Sequence, residues 1–571
     1  MKNPIHSLTN PLEDASSRLP RLAFIVLLTC FIIPGLIGRY FWSSEELTVF
    51  SGILDLTNAN RAIDVLCPRV LGDPLTQGAP LLVWLGSITA AIFGWAVGLD
   101  AASRLSVAAI YALGCMALWF TTWDLARRHE AQPVSLPFMK NIPSRDYARL
   151  MADATLLLAI STFGLFLPMR ELTSGVLAFC LTAGFMMSVV WSLSQTAKSV
   201  FLTGVACALA AIGVDFWFGL ILLLAGLVLH AKLNVYRVPF THRAGFLVAG
   251  FLTILIWPIL AFIADAQSAK EWFGAWFEYE MALYARSGFE DWLSKNVLWF
   301  AWPVWAYALW CLKVYFKIRA RTHIRIALVT AVCIFIFGLA FATHPRIILI
   351  AMVPPLAVLA GFGVSSSPAA GRFLDRVSTV IASVVIIILW AVFIAWYAGW
   401  PEGVVALIDD FTANAGLHMH GMRLALAMIA TLIWIFTILW RLGLAPVHFW
   451  KGPWLSAVGI TCVAVITVNL FTSAINANQS LYKAAQEMRR DFPALAGPSA
   501  CYAPLGLNNV QKRMLTYWGL TFGDDRCAWR LTELDYLAKY DPERQLYEPV
   551  GKVYTRPDER RVYLFVIDKS L

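Results

Sequence analysis

The sequence predicts a mainly α-helical polytopic membrane bundle of about thirteen spans, with amphipathic outer surface helices and a small C-terminal α/β domain. Three observations predict it. Hydrophobic residues make up 59% of the 571 and charged residues only 14%. Mean hydropathy is +0.66. Long apolar runs fill nearly everything from Arg21 to Ala474 and then give way to a polar segment, Ile475 to Leu571. Water cannot accommodate that much apolar surface, whereas a bilayer can.

Runs long enough to cross a hydrocarbon core of about 30 Å are candidate spans. They lie near 22–40, 103–125, 150–168, 175–193, 200–214, 216–231, 244–264, 296–315, 325–342, 346–363, 378–398, 422–440 and 455–474. A further run, Pro80–Leu99, is also long enough, and the basic residues decide its placement. If it does not span, Arg127, Arg128, Lys140, Arg145, Lys232, Arg237, Lys313, Arg321, Arg372 and Arg441 all face the cytoplasm. If it spans, all of them flip outward, against the inside preference of Lys and Arg. Pro80–Leu99 is therefore read as a helix in or near the outer interface. The resulting division is a cytoplasmic N-terminus, 1–21, and a membrane domain, 22–474. Outer loops fall at 41–102 and 265–295, and a soluble periplasmic domain at 475–571. Leu22–Leu36 lacks a small-residue cleavage site and reads as a retained signal anchor, placing the chain in the inner membrane. The net charge of +9 follows from the inner loops, which excludes nucleic acid as a partner.

In the first outer loop, Ser43 or Ser44 caps a helix that opens on Glu45 and Glu46. Leu47, Phe50 and Leu54, with Val49 and Ile53, form an apolar stripe that lays this helix against the membrane surface. Adjacent helical residues diverge, so only one of the two acids can enter a given cleft. A Gly72-Asp73-Pro74 turn, a second surface helix and Arg104 at the head of the next span follow. Taken alone, the acids are equally well a first turn favoured by the helix dipole, and Arg104 a snorkelling anchor.

This order resembles the lipid-linked-sugar glycosyltransferases that include the lipid A aminoarabinose transferases and, more distantly, the protein O-mannosyltransferases, all of GT-C type. Trp42–Glu46 (WSSEE) is similar to the family's W-x-x-D-E. Gly72–Trp84 (GDPLTQGAPLLVW) is similar to its G-E-P segment, and Arg104–Ser106 to its R-L-P-S. The segment LAFATHPRIILIAMVPPLAVLAG and WFEY at Trp276–Tyr279 resemble later family elements. The resemblance implies an enzyme that moves a sugar from a polyprenyl-phosphate donor to a glycolipid, glycan or protein acceptor, with inversion, at the periplasmic face. It implies Glu45 as the carboxylate base, with Glu46 beside it, since a base must take the acceptor's proton. It implies Arg104 and Arg346 as phosphate clamps, with His344 next to the family's lysine position, because guanidinium groups hold phosphate by paired hydrogen bonds. A family Asp near the turn between the third and fourth spans falls at Ser174, with Glu171 close by, making Glu171 a candidate substrate contact. Pairing of Arg170 with Glu171 is the structural alternative.

Three departures stand out. The family's acidic residue and lysine become Gln77 and Gly78, the following proline becomes Ala79, and the histidine of W-x-E-H becomes Tyr279. Where the family can hold a metal, Gln77 and Tyr279 are poor ligands, so no metal and no cofactor is expected. The missing lysine also motivates a second reading, a non-catalytic polyprenyl-lipid-binding protein on the same scaffold. A transporter is disfavoured, because inverted repeats and broken helices meeting at the bilayer midplane are missing. Val214-Asp215-Phe216 places a carboxylate near the outer surface, read as a cap for the next helix. The Trp-rich stretch around Trp272, Trp276, Trp292, Trp299, Trp302 and Trp305 suits an interface belt. Trp276 and Glu278 are also candidate sugar contacts. In the tail, CYAP and CAWRL read as strands, Asn508–Trp518 as a helix and VGKVYTRPDERRVYLFVI as a closing hairpin. Cys501 and Cys527 are a candidate disulfide in a periplasm-like compartment, while Cys67 has no evident partner.

Overall fold

A computed structural model of the chain describes residues 21–76, 80–132, 143–193, 197–232, 240–284, 296–315, 321–340, 345–366, 368–412, 421–443, 451–491, 501–524, 526–541, 546–554 and 562–568. His344, Gln77, Trp292 and the Arg556–Asp558 turn lie outside them.

The chain opens with α1 (Arg21–Ile32), α2 (Ser44–Leu56), α3 (Ala62–Leu66), a β1–β2 hairpin (Arg69–Val70, Asp73–Pro74) and α4 (Pro80–Val97). The bundle continues through α5 (Leu99–Ala126), α6 (Ser144–Ile160), α7 (Ser174–Ser192), α8 (Ala197–Gly213), α9 (Phe216–Lys232), α10 (Phe240–Ala264) and α11 (Ala266–Tyr284). Then come α12 (Val304–Val314), α13 (Thr322–Ala340), α14 (Pro345–Ser365), α15 (Pro368–Ala398), α16 (Glu402–Thr412), α17 (Gly421–Gly443), α18 (Lys451–Gln479) and α19 (Leu481–Asp491). The C-terminal region adds β3 (Tyr502–Leu505), α20 (Asn509–Tyr517), β4 (Trp529–Glu533), α21 (Leu534–Tyr540), β5 (Tyr547–Tyr554) and β6 (Val562–Asp568).

Among the described residues, nine helices are long and apolar enough to cross a membrane. The bundle is a multi-pass membrane architecture, and several expected spans are shorter than their apolar runs. The first stops at Ile32, ahead of Pro34, and Gly35 and Gly38 then take φ of 90° and 77°. Proline cannot donate to a continuing helix, and positive φ suits glycine. The run 150–168 stops as helix at Ile160, and Pro168 lies in the loop that follows. The run 296–315 is interrupted at Pro303, with α12 starting at Val304. Pro80–Val97, read from the sequence as an interfacial helix, also meets the length and hydropathy of a span. It joins α5 through Gly98 at φ 86° and packs along it.

α14 is the most enclosed of the long apolar helices, with 83% of its span buried, whereas α15 and α17 are only 22% buried. The former is the bundle's centre. The latter present Val380, Ile387, Leu432 and Phe436 outward, as lipid-facing helices do.

The C-terminal sheet runs β3-β4-β6-β5, with β3 parallel to β4 and the other pairs antiparallel. A parallel pair needs a crossover, which α20 supplies. Asn508 and Gln511 form a capping box that starts it: Asn508 Oδ1 accepts from Gln511 N at 2.8 Å and Gln511 Oε1 from Asn508 N at 2.9 Å. α21 is a helix that the sequence reading lacks. Cys501 and Cys527 are disulfide-bonded with Cα atoms 5.1 Å apart, tying the start of β3 to the start of β4. Cys67 is buried as a free thiol.

α20 docks this region onto α2. Arg513 Nε stands 2.5 Å from Asp55 Oδ1, Asn509 donates to Asp73 Oδ2 at 2.7 Å, and the Tyr517 ring meets Phe50 edge-on at 5.3 Å. Asn476 at the end of α18 holds the other side, accepting from Tyr40 N at 3.1 Å and Trp42 Nε1 at 2.7 Å. Helix α2, which carries the acid pair, is thus gripped at both ends by the C-terminal third of the chain.

Candidate functional site

Ser43 caps α2, its Oγ accepting from Glu46 N at 3.2 Å. That start fixes where the two acids point, and they diverge. Glu46 turns inward and is fully buried. It accepts from Arg39 Nη1 at 2.8 Å and Nη2 at 2.6 Å, from Trp42 N at 3.0 Å and from Leu172 N at 2.9 Å. Burial alone would raise its pKa, but the Arg39 guanidinium, with Arg104 and the Trp42 amide, outweighs burial and holds it down at about 2. Every lone-pair direction of this carboxylate is engaged by the fold, so Glu46 is a structural anion. The sequence reading placed it beside Glu45 as catalytic; in the structure Glu46 is not among the residues that line the cavity.

Glu45 turns the other way, and its Oε1 accepts from Ser174 N at 2.6 Å. Burial pushes its carboxyl above the usual range, opposed by the Ser174 hydrogen bonds and by Arg346, and reinforced by Glu46. The end of the 161–173 loop and the first residue of α7 are thereby stitched to the acid pair and Arg39. Glu46 holds Leu172 N, Glu45 holds Ser174 N, and Arg39 Nη2 donates to Arg170 O at 2.7 Å.

Arg170 does not pair with Glu171. Its guanidinium donates to Phe166 O and Phe31 O and lies over the rings of both. Burial brings its pKa down to about 9. Glu171 instead receives a hydrogen bond at 2.9 Å from Arg346 Nη2, at the head of α14. Arg104 is fully buried, with its guanidinium over the Phe41 ring, 3.3 Å from Leu36 O, 3.7 Å from Asp100 and 4.0 Å from Glu46. It is neither a snorkelling anchor nor part of the cavity wall; it belongs to the buried network behind Glu46.

The cavity itself has a volume of about 360 Å³. Its walls come from distant stretches: Ser43 with Ser44, Glu45 and Thr48 of α2; Thr76 and Pro80; Thr173–Gly175; Ala211, Ile212, Val214 and Asp215; and Trp276, Tyr279 and Glu280 of α11. Arg346, Ile347 and Ile350 of α14 close it. Asp215 both caps α9, accepting from Phe218 N at 2.6 Å, and lines the cavity, so the capping reading covers only half its role. Burial raises its pKa to about 6 against the Phe218 and Trp217 amides.

Glu280 is the acid that the sequence reading missed. It is 3% exposed, accepts from Phe216 N at 3.2 Å, and is pushed up to about 8 by burial and by the charge of Asp215. The signal was present in the sequence. Trp276 and Glu280 are four residues apart on one helix face, whereas Glu278 sits on another face and is exposed. The cavity takes Trp276 and not Glu278. The tryptophan run also divides, for Trp272 is fully buried and donates to Pro68 O at 2.8 Å, while Trp299 is 74% exposed. Of Gln77 and Tyr279, the latter lies in the described residues and lines the cavity. A phenol and an amide are a poor fit to a divalent cation. Among the described residues no group of three His, Cys, Asp or Glu could hold one.

Between α8, α9 and α10 runs an apolar groove of about 620 Å³, lined by Cys207, Phe216, Leu220, Leu223, Phe251 and Ile254, among others. Ala211 lines both groove and cavity, so the apolar groove, whose Val248 and Phe251 are exposed on the outer face of the bundle, adjoins the polar chamber.

No protein-family model and no curated protein matches this chain. Solved structures do. Crystal structures of ArnT from Cupriavidus metallidurans, bound to undecaprenyl phosphate and in the apo state, superpose with TM-scores of 0.64 and 0.61 at 15% and 13% identity. In both, 95% of this chain and 97% of that chain are covered. The archaeal oligosaccharyltransferase AglB from Archaeoglobus fulgidus, with an inhibitory peptide and dolichol phosphate, gives a TM-score of 0.40 at 11% identity, covering 92% of this chain and 69% of that one. The chain has the fold of these ArnT structures.

Proposed function

We propose that this chain is an inverting membrane glycosyltransferase that takes a sugar from a polyprenyl-phosphate donor. One observation carries the reading: Glu45 and Arg346, far apart in sequence, face one polar cavity that adjoins an apolar groove. A carboxylate, a guanidinium and a lipid-sized groove are what such a donor requires. The ArnT structure that this fold matches is bound to undecaprenyl phosphate, which supports a prenyl ligand of the same kind.

In the proposed step, an acceptor hydroxyl oxygen attacks the anomeric carbon from the face opposite the phosphate. The bond from that carbon to the phosphate oxygen breaks, and its electron pair leaves with the polyprenyl phosphate. The hydroxyl proton passes to the Glu45 carboxylate. Arg346 answers the negative charge that grows on the leaving phosphate, with Glu171 orienting it from behind. Trp276 offers an aromatic face to the sugar ring. The prenyl chain follows the α8–α10 groove. No step is routed through a metal. Arg104 and Glu46 act from the buried network by holding α2, and His344 remains proposed as a helper beside Arg346.

The acceptor class is a glycolipid, glycan or protein. The reading places the chain in an inner membrane, with residues 1–21 cytoplasmic, 22–474 as the membrane domain, and 475–571, with its disulfide, periplasmic. Gly78 in place of the family's lysine favours one alternative, a lipid-carrier-binding protein without transferase activity. Sugar transfer by purified protein, wild type against Glu45→Gln, tests the main reading. Loss of about 10²–10⁴-fold is expected for removal of a general base. Unchanged transfer takes Glu45 out of the mechanism. Arg346-dependent binding of undecaprenyl phosphate with no transfer to any acceptor favours the alternative.

A further inference from the structure

Glu171 and Arg346 form an ion pair with an asymmetry that the proposed step does not use. Glu171 Oε2 and Arg346 Nη2 are 2.9 Å apart, yet the Glu171 side chain is 6% exposed and that of Arg346 is 32% exposed. The carboxylate is sealed behind the guanidinium, and the guanidinium looks into the cavity. Among the described residues lining that cavity, Arg346 is the cation, while Glu45, Asp215 and Glu280 are acids. Among the described lining residues, a phosphate arriving there meets one cation, and that cation already serves a buried carboxylate.

We propose that Glu171 competes with the ligand's phosphate for Arg346, so that binding of a prenyl phosphodiester draws a proton from solvent onto Glu171. The inference rests on the reading of the cavity as a polyprenyl-phosphate site. Its physical basis is the cost of leaving a buried carboxylate ionised once its cation is shared. The charged groups facing Glu171 come from each element around it. Arg346 on α14 and Arg39 before α2 favour the carboxylate, and Glu46 on α2 opposes it. Burial is the largest influence and already lifts its carboxyl above the usual range without a ligand. Glu45, which also feels Arg346 and Glu46, is held separately by Ser174 N at 2.6 Å. Asp215 and Glu280 on the far wall add no positive charge. Withdrawing part of Arg346 from Glu171 therefore moves that carboxyl further up, and proton uptake is greatest between its ligand-free and ligand-bound titration points.

The same competition makes the site selective. A ligand with one fixed negative charge must displace a carboxylate that is present at high pH and neutralised at low pH. Affinity rises as pH falls, by at most about ten-fold per unit for one linked proton.

The test is calorimetric titration of full-length protein in detergent with farnesyl methyl phosphate. This phosphodiester carries a single charge throughout pH 5–8 and does not itself titrate there. Runs in buffers of differing ionisation enthalpy give the protons exchanged. The proposal expects net uptake within pH 5–8, up to about one proton, with tighter binding at the acidic end. It expects Glu171→Gln to abolish the uptake, flatten the pH dependence and bind more tightly than wild type at pH 8. Binding without proton uptake anywhere in that range overturns it on the wild-type protein alone, whether or not the variant folds. Equal uptake by Glu171→Gln also overturns it. If Arg346→Ala binds the probe as well as wild type does, the failure belongs instead to the reading of the cavity as a phosphate site.

Discussion

The two walls of the cavity differ in what they give a buried carboxylate as a partner. On the wall built by α2 and the 161–173 loop, every carboxylate has a partner: Glu46 has Arg39, Glu171 has Arg346, and Glu45 has the Ser174 amide with Arg346 nearby. On the wall built by the α8–α9 turn and α11, Asp215 and Glu280 have backbone amides and each other, and no cation among the described residues. On the first wall Arg39 holds Glu46 down near 2, while burial raises Glu45 and Glu171 above the usual range against their partners. The second pushes its acids up, to about 6 and about 8. Glu45 and Arg346 stand where the two regimes meet. Paired charges set geometry, whereas on the far wall Glu280 is largely protonated and Asp215 largely ionised near pH 7.

That contrast can be broken by substitution. Glu46→Ala leaves Arg39 and Arg104 buried without their anion and should destabilise the protein by about 3–5 kcal/mol. Glu280→Ala should cost much less, because Glu280 is largely protonated at pH 7. Melting curves of the two variants in one detergent compare them, and equal shifts would erase the distinction between the walls.

The pH response sharpens it. Glu280 has its pKa raised on folding, so its contribution to stability is fully present below the unfolded carboxyl value and is lost as pH rises through about 8. Tm should therefore fall as pH rises from about 5 to about 8 and level off above that, with a slope of up to about 1.4 kcal/mol per unit from this proton. Glu280→Gln should remove that part of the decline. Glu46, held low, should contribute no slope in this window and lose its stabilisation only as pH falls towards 2.

Smaller effects separate the two jobs of Asp215. Asp215→Ala removes the α9 cap, costing about 1 kcal/mol, while Asp215→Asn keeps most of it. At the bottom of the scale, Glu278→Gln should change neither melting nor sugar transfer. A loss of transfer in that variant would mean that α11 presents a different face to the substrate.

Much of this arrangement is legible in the sequence, and the limits have physical causes. Apolar runs mark helices but not where they stop, since Pro34 and Pro303 stand at helix breaks, and α6 stops at Ile160 well ahead of Pro168, inside runs that hydropathy alone reads as continuous. The divergence of Glu45 and Glu46 follows from helix geometry, but which of them faces inward depends on Arg39. That residue sits seven positions before Glu46, in a loop that no period describes. Arg104 is misleading for a similar reason. At the end of an apolar run it looks exposed, but the docking of α20 through Arg513 and Tyr517 closes the C-terminal region over the α2 surface next to it. Glu280 was accessible to a count of four from Trp276, and a fixed motif window ending at Tyr279 hides it. Competition of Glu171 with a ligand for Arg346 depends on two distant loops meeting, which no single stretch of sequence encodes.

The most direct test of the whole account is the structure of this protein solved with undecaprenyl phosphate. The account predicts phosphate oxygens within hydrogen-bond reach of Arg346, Glu45 across the same chamber, and the prenyl chain leaving past Ala211 into the groove between α8, α9 and α10. A phosphate bound away from Arg346, or a chain emerging on another side of the bundle, would contradict it.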